Sequence, residues 1–259
     1  VIYGRDVVDI KKLEILIGVD IFASSFFMLS RWEEYVIDKK DNHERFLYSE
    51  ALAFKESFLD RPVVNEYVEF LWNCLQKMNF KQDRRQKKFR PILTHDIDRI
   101  SSKTDFRSML KTLKHNIVNK NVAIALNAFL TSILIKFDFI KDPFFCFDWI
   151  MEQSERNNLR SSFYFMSGGK SSRYDNKYSI KDKKLSNVFK SIVCKGHIVG
   201  FHPSYHSFND RSQFYKEKKL LEKVSGTTIA TGRQHYLKFS VPNTWRIWED
   251  NNMLVDSTM

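Results

Sequence analysis

At 259 residues, 43% apolar and 28% charged, the chain carries enough apolar side chains for one large core or two modest ones, which excludes a disordered or fibrous protein. Its net charge of +11 permits anionic partners. The basic residues are dispersed lysines apart from KQDRRQKKFR (81–90), however, and no nucleic-acid-binding module is recognisable, so nucleic acid is not an expected partner.

Residues 1–85 mix strand-like and helix-like segments and read as a small α-rich unit of unassigned function. DIFASSFFMLSRWEEYV (Asp20–Val36) has an apolar face behind an acidic start, which predicts a helix. RPVVNEYVEFLWNCLQKM (Arg61–Met78) predicts another, with Pro62 where a first turn tolerates it. Asp20, Glu33, Glu34 and His43 form no ligand pattern and are expected to be surface charge. The three cysteines, Cys74, Cys146 and Cys194, are too far apart for a disulfide framework or a zinc ribbon, so buried thiols in reducing surroundings are expected.

The basic stretch leads into a second region, 86–259. Short β-prone runs end at FRPILTHDID, SSFYFMSGG (Ser161–Gly169) and CKGHIVGFHPS (Cys194–Ser204). Helix-like stretches, Phe147–Asn157 and Asp182–Cys194, lie between them. This alternation predicts an α/β domain with parallel strands, whose chemistry sits at the carboxyl ends of those strands. Val122–Ile135 is apolar but only about 14 residues long, interrupted by Asn127, Thr131 and Ser132 and set between Lys120 and Lys136. It predicts a buried or amphipathic helix, with no membrane span.

Three segments carry candidate chemistry. GHIVGFHPSYH (Gly196–His206) places His202 at the end of a strand, Pro203 at the start of a helical turn and His206 one turn on, a spacing that suits two imidazoles holding a divalent ion. THDID (Thr94–Asp98) puts Asp96 and Asp98 two apart, on one side of a continuing strand. Two histidines and one aspartate make a three-ligand site with an open position for water, and leave a second aspartate as general base. GRQHY (Gly232–Tyr236) offers Arg233 to pair with that base.

In this order the segments resemble the metal-dependent polysaccharide deacetylases of the NodB-homology type. THDID is similar to the family's aspartate motif, GHIVGFHPSYH to its histidine motif, and RQHY to its arginine motif, although it lacks the commoner Arg-x-Pro-aromatic form. DSTM (256–259) is similar to the start of the next motif strand. The resemblance covers about residues 91–259. The N-terminal portion resembles an uncharacterised domain that precedes some bacterial members.

The resemblance implies a partial, deformed (β/α) barrel behind the smaller N-terminal unit, and a hydrolase that removes acetyl groups from an acetylated glycan. It implies Asp96 as general base, Arg233 as its orienting partner, and Asp98, His202 and His206 as ligands to one divalent ion, zinc first, with cobalt, nickel or manganese as alternatives. Tyr236 is implied as a groove residue and His197 as structural. His95 and His235 stay open between supporting and structural roles. The family's general-acid histidine belongs to a later motif, expected beyond Met259, so the chain reads as a fragment. With no secretory signal visible the cytoplasm is the expected compartment, while a glycan substrate allows the cell envelope. The competing readings are a related hydrolase of non-peptide C–N bonds and a non-catalytic glycan-binding or scaffold protein.

Overall fold

In the computed structural model the described residues are 2–11, 14–86, 88–101, 122–137, 139–168, 172–176 and 178–259. Lys87 of the basic stretch, Lys120 and Gly169 lie outside them. The chain divides into two units, Val1–Arg90 with Tyr236–Trp248 and Pro91–His235 with Glu249–Met259.

The first unit is less purely helical than its sequence suggests. Strands β1 (Gly4–Lys11) and β2 (Glu14–Val19) pair antiparallel, with an irregularity between Gly4 and Val8. Asp20 then caps helix α1 (Ile21–Leu29), its carboxylate accepting from the Ala23 amide at 2.8 Å. The single helix expected over Asp20–Val36 breaks at Arg31, which takes a left-handed conformation (φ 51°), and resumes as α2 (Trp32–Val36). Arg31 also forms an ion pair with Glu34. Helices α3 (Leu52–Lys55) and α4 (Val63–Lys77) follow, the second starting just after Pro62 as its sequence implies.

The second unit is a mixed α/β structure built on a curled, parallel half-barrel sheet. Its strands are β3 (Leu93–Ile97), β4 (Ser161–Phe165), β5 (Ile198–Phe201), β6 (Thr231–Gly232) and β7 (Val255–Asp256), in spatial order 3-4-5-6-7. Each strand lies beside its predecessor in sequence, the winding of a barrel and not the reversing order of a doubly wound sheet. The first strand begins later than its sequence suggests: Leu93, not Pro91, opens it, and it runs on through Asp96. All five carboxyl ends therefore meet along one edge.

Helices α5 (Val122–Lys136), α6 (Phe147–Arg156), α7 (Lys183–Cys194), α8 (Arg211–Ser225) and α9 (Asn243–Asp250) are the further α-helices among the described residues. Among the described residues no helix is long and apolar enough to cross a membrane. The run SSFYF in β4 is buried at every position, as a parallel strand covered on both faces must be. Phe165 meets Phe189 of α7 with ring centroids 4.9 Å apart, and Phe201 of β5 meets Phe214 of α8 at 5.0 Å. Asp182 and Asp210 cap α7 and α8 through the Lys184 and Gln213 amides. Gly196 (φ 72°) makes the tight turn from α7 into β5, a conformation costly for any residue with a Cβ. The cysteines are not core residues as expected: Cys74 and Cys146 are half-buried, and Cys194 is exposed at the last turn of α7.

Candidate metal centre

Asp98 follows the last residue of β3, His202 the last of β5, and His235 lies three residues beyond β6. Three parallel strands thus deliver three donors to one edge of the sheet. The Asp98 Oδ1, His202 Nε2 and His235 Nδ1 atoms form one cluster. His202 Nε2 lies 2.9 Å from His235 Nδ1 and 3.4 Å from Asp98 Oδ1; His235 Nδ1 lies 3.8 Å from the same oxygen.

The hydrogen bonds on the far side of each ring decide what these atoms present. His202 Nδ1–H donates to the Arg233 carbonyl at 2.7 Å, and His235 Nε2–H donates to the Tyr174 carbonyl at 2.9 Å. With one N–H of each neutral ring committed to a backbone oxygen, both remaining nitrogens offer lone pairs. Two imidazole lone pairs and a carboxylate oxygen then face one another, an arrangement that a bound divalent cation satisfies. Backbone carbonyls fixing the tautomer of a ligating histidine are the usual surroundings of a metal site.

The distances fit as well. A circle through three atoms separated by 2.9, 3.4 and 3.8 Å has a radius of about 2.0 Å, which is about the length of a zinc–nitrogen or zinc–oxygen bond. Both histidines are buried, while the Asp98 side chain is 58% exposed, so the cluster opens to solvent on its carboxylate side. The donor set fits zinc, and two histidines with one carboxylate also suit other first-row divalent ions.

The field of the site favours the ligating forms. Contact with the His202 ring chiefly holds Asp98 below the usual carboxylate value, overriding burial, with neighbouring His202, His235 and Arg99 acting in the same direction. Burial lowers His235, chiefly by desolvating its charged form.

Beside the cluster, Asp96 and Arg233 form a second constellation. Arg233 Nη1 donates to Asp96 Oδ1 at 3.1 Å and Nη2 to the Thr94 hydroxyl at 2.9 Å, while Nε donates to the Ser257 carbonyl at 2.9 Å. The guanidinium also lies over the Tyr164 ring, 5.7 Å from its centroid. Fixed on four sides, Arg233 has one orientation, and it points Asp96 toward the same edge of the sheet. DSTM contributes here: Ser257 holds Arg233, and the Thr258 hydroxyl accepts from the Gln234 amide at 3.0 Å.

The structure brings together Asp96, Asp98, His202 and Arg233, and it supplies a third ligand atom that spacing did not. His206 is not in the cluster; it is exposed, with its ring edge-on to Tyr205 at 5.0 Å. The expected helical turn from Pro203 does not form, and the only helical turn here is a 3-10 turn at Ser207–Asn209. Two buried carboxylates from distant segments anchor this stretch instead. The Ser204 amide donates to Glu217 Oε2 at 2.9 Å and the Tyr205 amide to Asp175 Oδ1 at 2.7 Å. The Ser207 amide donates to the Ser204 carbonyl, three residues back, at 3.0 Å, so the chain turns here in 3-10 fashion and residues four apart do not share a face. His235 is the candidate ligand that sequence spacing missed, and a histidine two places after Arg233, the residue that follows β6, was the available signal.

Tyr236, expected in the groove, belongs to the first unit, where its ring packs on His43 at 4.8 Å and its carbonyl accepts from Arg45 Nη1 at 3.2 Å. His197 is structural as expected: Nδ1 accepts from the Ser161 amide at 3.0 Å, and Nε2 meets Glu155 Oε1 at 3.1 Å. His95 ends a buried hydroxyl chain through Ser161 and Ser154 to the Ile150 carbonyl, and burial lowers its pKa.

Comparison with known proteins places two labels beside this geometry. Residues 6–80 match the model of a "family of unknown function" (DUF7033). A solved structure described as a "putative polysaccharide deacetylase" from Mycobacterium smegmatis is similar over 65% of this chain and 50% of its own, at 15% identity and a TM-score of 0.38. The chain thus spans half the length of that protein. No curated protein matches the chain. Neither match bears on the chemistry, which rests on the side-chain arrangement.

Proposed function

We propose that the second unit is a metal-dependent hydrolase that removes acetyl groups from an acetylated carbohydrate. One observation carries the hydrolytic reading: a three-donor cluster, open on one side, stands next to a second carboxylate that is outside the donor set and held by an arginine. A structural zinc site is closed by four protein ligands, whereas a hydrolytic one keeps a position for water and needs a base beside it. The carbohydrate substrate follows from the likeness of THDID and GHIVGFHPSYH to the deacetylase motifs.

Asp98, His202 and His235 are the residues to hold the ion. When bound, a divalent ion there supplies Lewis acidity to a carbonyl oxygen and lowers the pKa of water. Asp96 takes the proton of the attacking water, and Arg233 keeps its carboxylate aimed at that proton. The Arg233 carbonyl, through His202 Nδ1, ties the orientation of a ligand to the residue that orients the base.

The test measures acetate released from N-acetylated chito-oligosaccharides and from O-acetylated xylan by the zinc-loaded full-length protein, beside Asp96→Asn. Acetate from wild type, with at least about a hundredfold loss in a variant that keeps its metal, is the expected result for a general base. Release of no acetate from either glycan by folded, zinc-loaded protein would overturn the substrate assignment; full activity of Asp96→Asn would overturn the role of the base.

A further inference from the structure

Between β4 and α7 runs a segment that no motif or spacing singles out, with Tyr174, Asp175, Asn176 and Tyr178 among its residues. It reaches every ligand-bearing element of the centre. The Tyr174 carbonyl accepts from His235 Nε2 at 2.9 Å, so it fixes the tautomer that turns Nδ1 into the cluster. Asp175, buried, accepts the Tyr205 amide on Oδ1 at 2.7 Å and the Ser172 amide on Oδ2 at 3.1 Å. The Tyr178 hydroxyl donates to the Ile97 carbonyl at 2.8 Å, one residue before Asp98, and accepts from the Met166 amide at 2.9 Å. Asn176 Nδ2 closes the segment onto the end of β4 by donating to the Met166 carbonyl at 3.0 Å.

Each contact falls on a different strand end. Tyr178 sets the exit of β3, Asp175 sets the loop after β5, and Tyr174 sets His235, three residues after β6. Such loops normally satisfy their own backbone or bond to water; here the bonds converge on the three segments that carry Asp98, His202 and His235.

We infer that Asp175 and Tyr178 are positioning residues for the metal centre: this strap, and not the spacing of His202 and His206, selects Asp98, His202 and His235 as the donor set. The inference rests on the metal-centre reading above. Supporting partners of metal ligands typically contribute about 10- to 100-fold in affinity, which sets the size of the expected effect.

The experiment measures zinc affinity by chelator competition and the visible spectrum of the cobalt-substituted full-length protein, for wild type, Asp175→Asn and Tyr178→Phe. Ser154→Ala serves as the control, because it cuts the buried hydroxyl chain that ends at His95. Expected are a 10- to 100-fold loss of zinc affinity and an altered cobalt spectrum in both strap variants, with Ser154→Ala losing thermal stability but keeping wild-type affinity. Should Tyr178→Phe fail to fold, the near-isosteric Asp175→Asn carries the test. Wild-type affinity and spectrum in the folded strap variants would overturn the inference while leaving the metal centre standing. A wild type that binds no zinc would sink the metal centre and the strap's role together. An equal affinity loss in Ser154→Ala would mark the effect as general destabilisation and also overturn the inference.

Discussion

The sharpest test of the site compares two histidines that spacing and structure rank in opposite order. His235→Gln removes a nitrogen that lies 2.9 Å from His202 Nε2 and 3.8 Å from Asp98 Oδ1, whereas His206→Ala removes an exposed ring outside the cluster. Four-ligand zinc sites in small peptides bind with about 10–16 kcal/mol, or roughly 3 kcal/mol for each ligand. At about 1.4 kcal/mol for each tenfold step, losing His235 weakens zinc by roughly a hundredfold or more. Losing His206 is expected to change affinity by less than about threefold, since it removes no donor. The assay is chelator competition on the metal-free proteins, with metal content per chain after gel filtration and a melting curve for each variant. Because His235 is buried, its variant is also expected to lose some stability; an affinity loss in a protein that still melts cooperatively separates the two effects. If His206→Ala lost its metal and His235→Gln kept it, the donor set would be the one that HxxxH spacing suggests, and the tautomer argument would be wrong.

Two further predictions concern the frame around the site. Glu217 is buried against the Ser204 amide, the Ser204 hydroxyl and Gln213, and desolvation raises its pKa above the ordinary 4.5. Between 4.5 and that raised value the folded protein holds a proton that the unfolded chain has released, so this group's contribution to stability falls as pH rises through the window. Urea midpoints taken across that window should show the slope in wild type and lose it in Glu217→Gln; an unchanged slope would assign it to another group. Gly200 lets the Tyr164 ring cross β5, since a Cβ there would sit 2.3 Å from Tyr164 Cδ1 and 2.8 Å from the Thr231 carbonyl. Gly200→Ala should cost about 1–3 kcal/mol in denaturant unfolding through overpacking, and a change under about 0.5 kcal/mol, the range of an ordinary surface substitution, would mean the ring moves freely.

Much of the second unit was legible because its signals are local. Apolar runs ending in Gly, Ser or Pro marked β4 and β5, and the helix-like stretches Phe147–Asn157 and Asp182–Cys194 marked α6 and α7. Asp96 and Asp98 were readable as a pair because strand alternation puts residues two apart on one side. What failed depended on contacts between distant segments. A helical turn after Pro203 was a fair local expectation, yet Glu217 and Asp175, both distant in sequence, anchor the Ser204 and Tyr205 amides and the chain runs on into a 3-10 turn. Likewise the helix over Asp20–Val36 splits at Arg31, a left-handed residue that no local propensity announces. The strap was invisible because its work is done by a backbone carbonyl, a buried carboxylate and a phenol, none with a characteristic spacing.

The same alternation that exposed the aspartate pair explains the ligand that was missed. Asp96-x-Asp98 closes β3, and Arg233-x-His235 follows β6. Their members pair in order: Arg233 with Asp96 at 3.1 Å, and His235 with Asp98 at 3.8 Å. The residue between each pair, Ile97 or Gln234, is buried. Each segment therefore contributes one residue to the Arg233–Asp96 ion pair and one to the donor cluster, a period of two carried past the ends of the strands. His202 stands between them, one ring nitrogen on the Arg233 carbonyl and the other in the cluster. In HxxxH the two histidines belong to one loop and share a face only if that loop coils. The pairing of DxD with RxH needs no coil, because parallel strands already bring their carboxyl ends to one edge. On this argument the search that finds such a centre in a sequence looks for i, i+2 polar pairs at the ends of different strands, and HxxxH contributes only its first histidine.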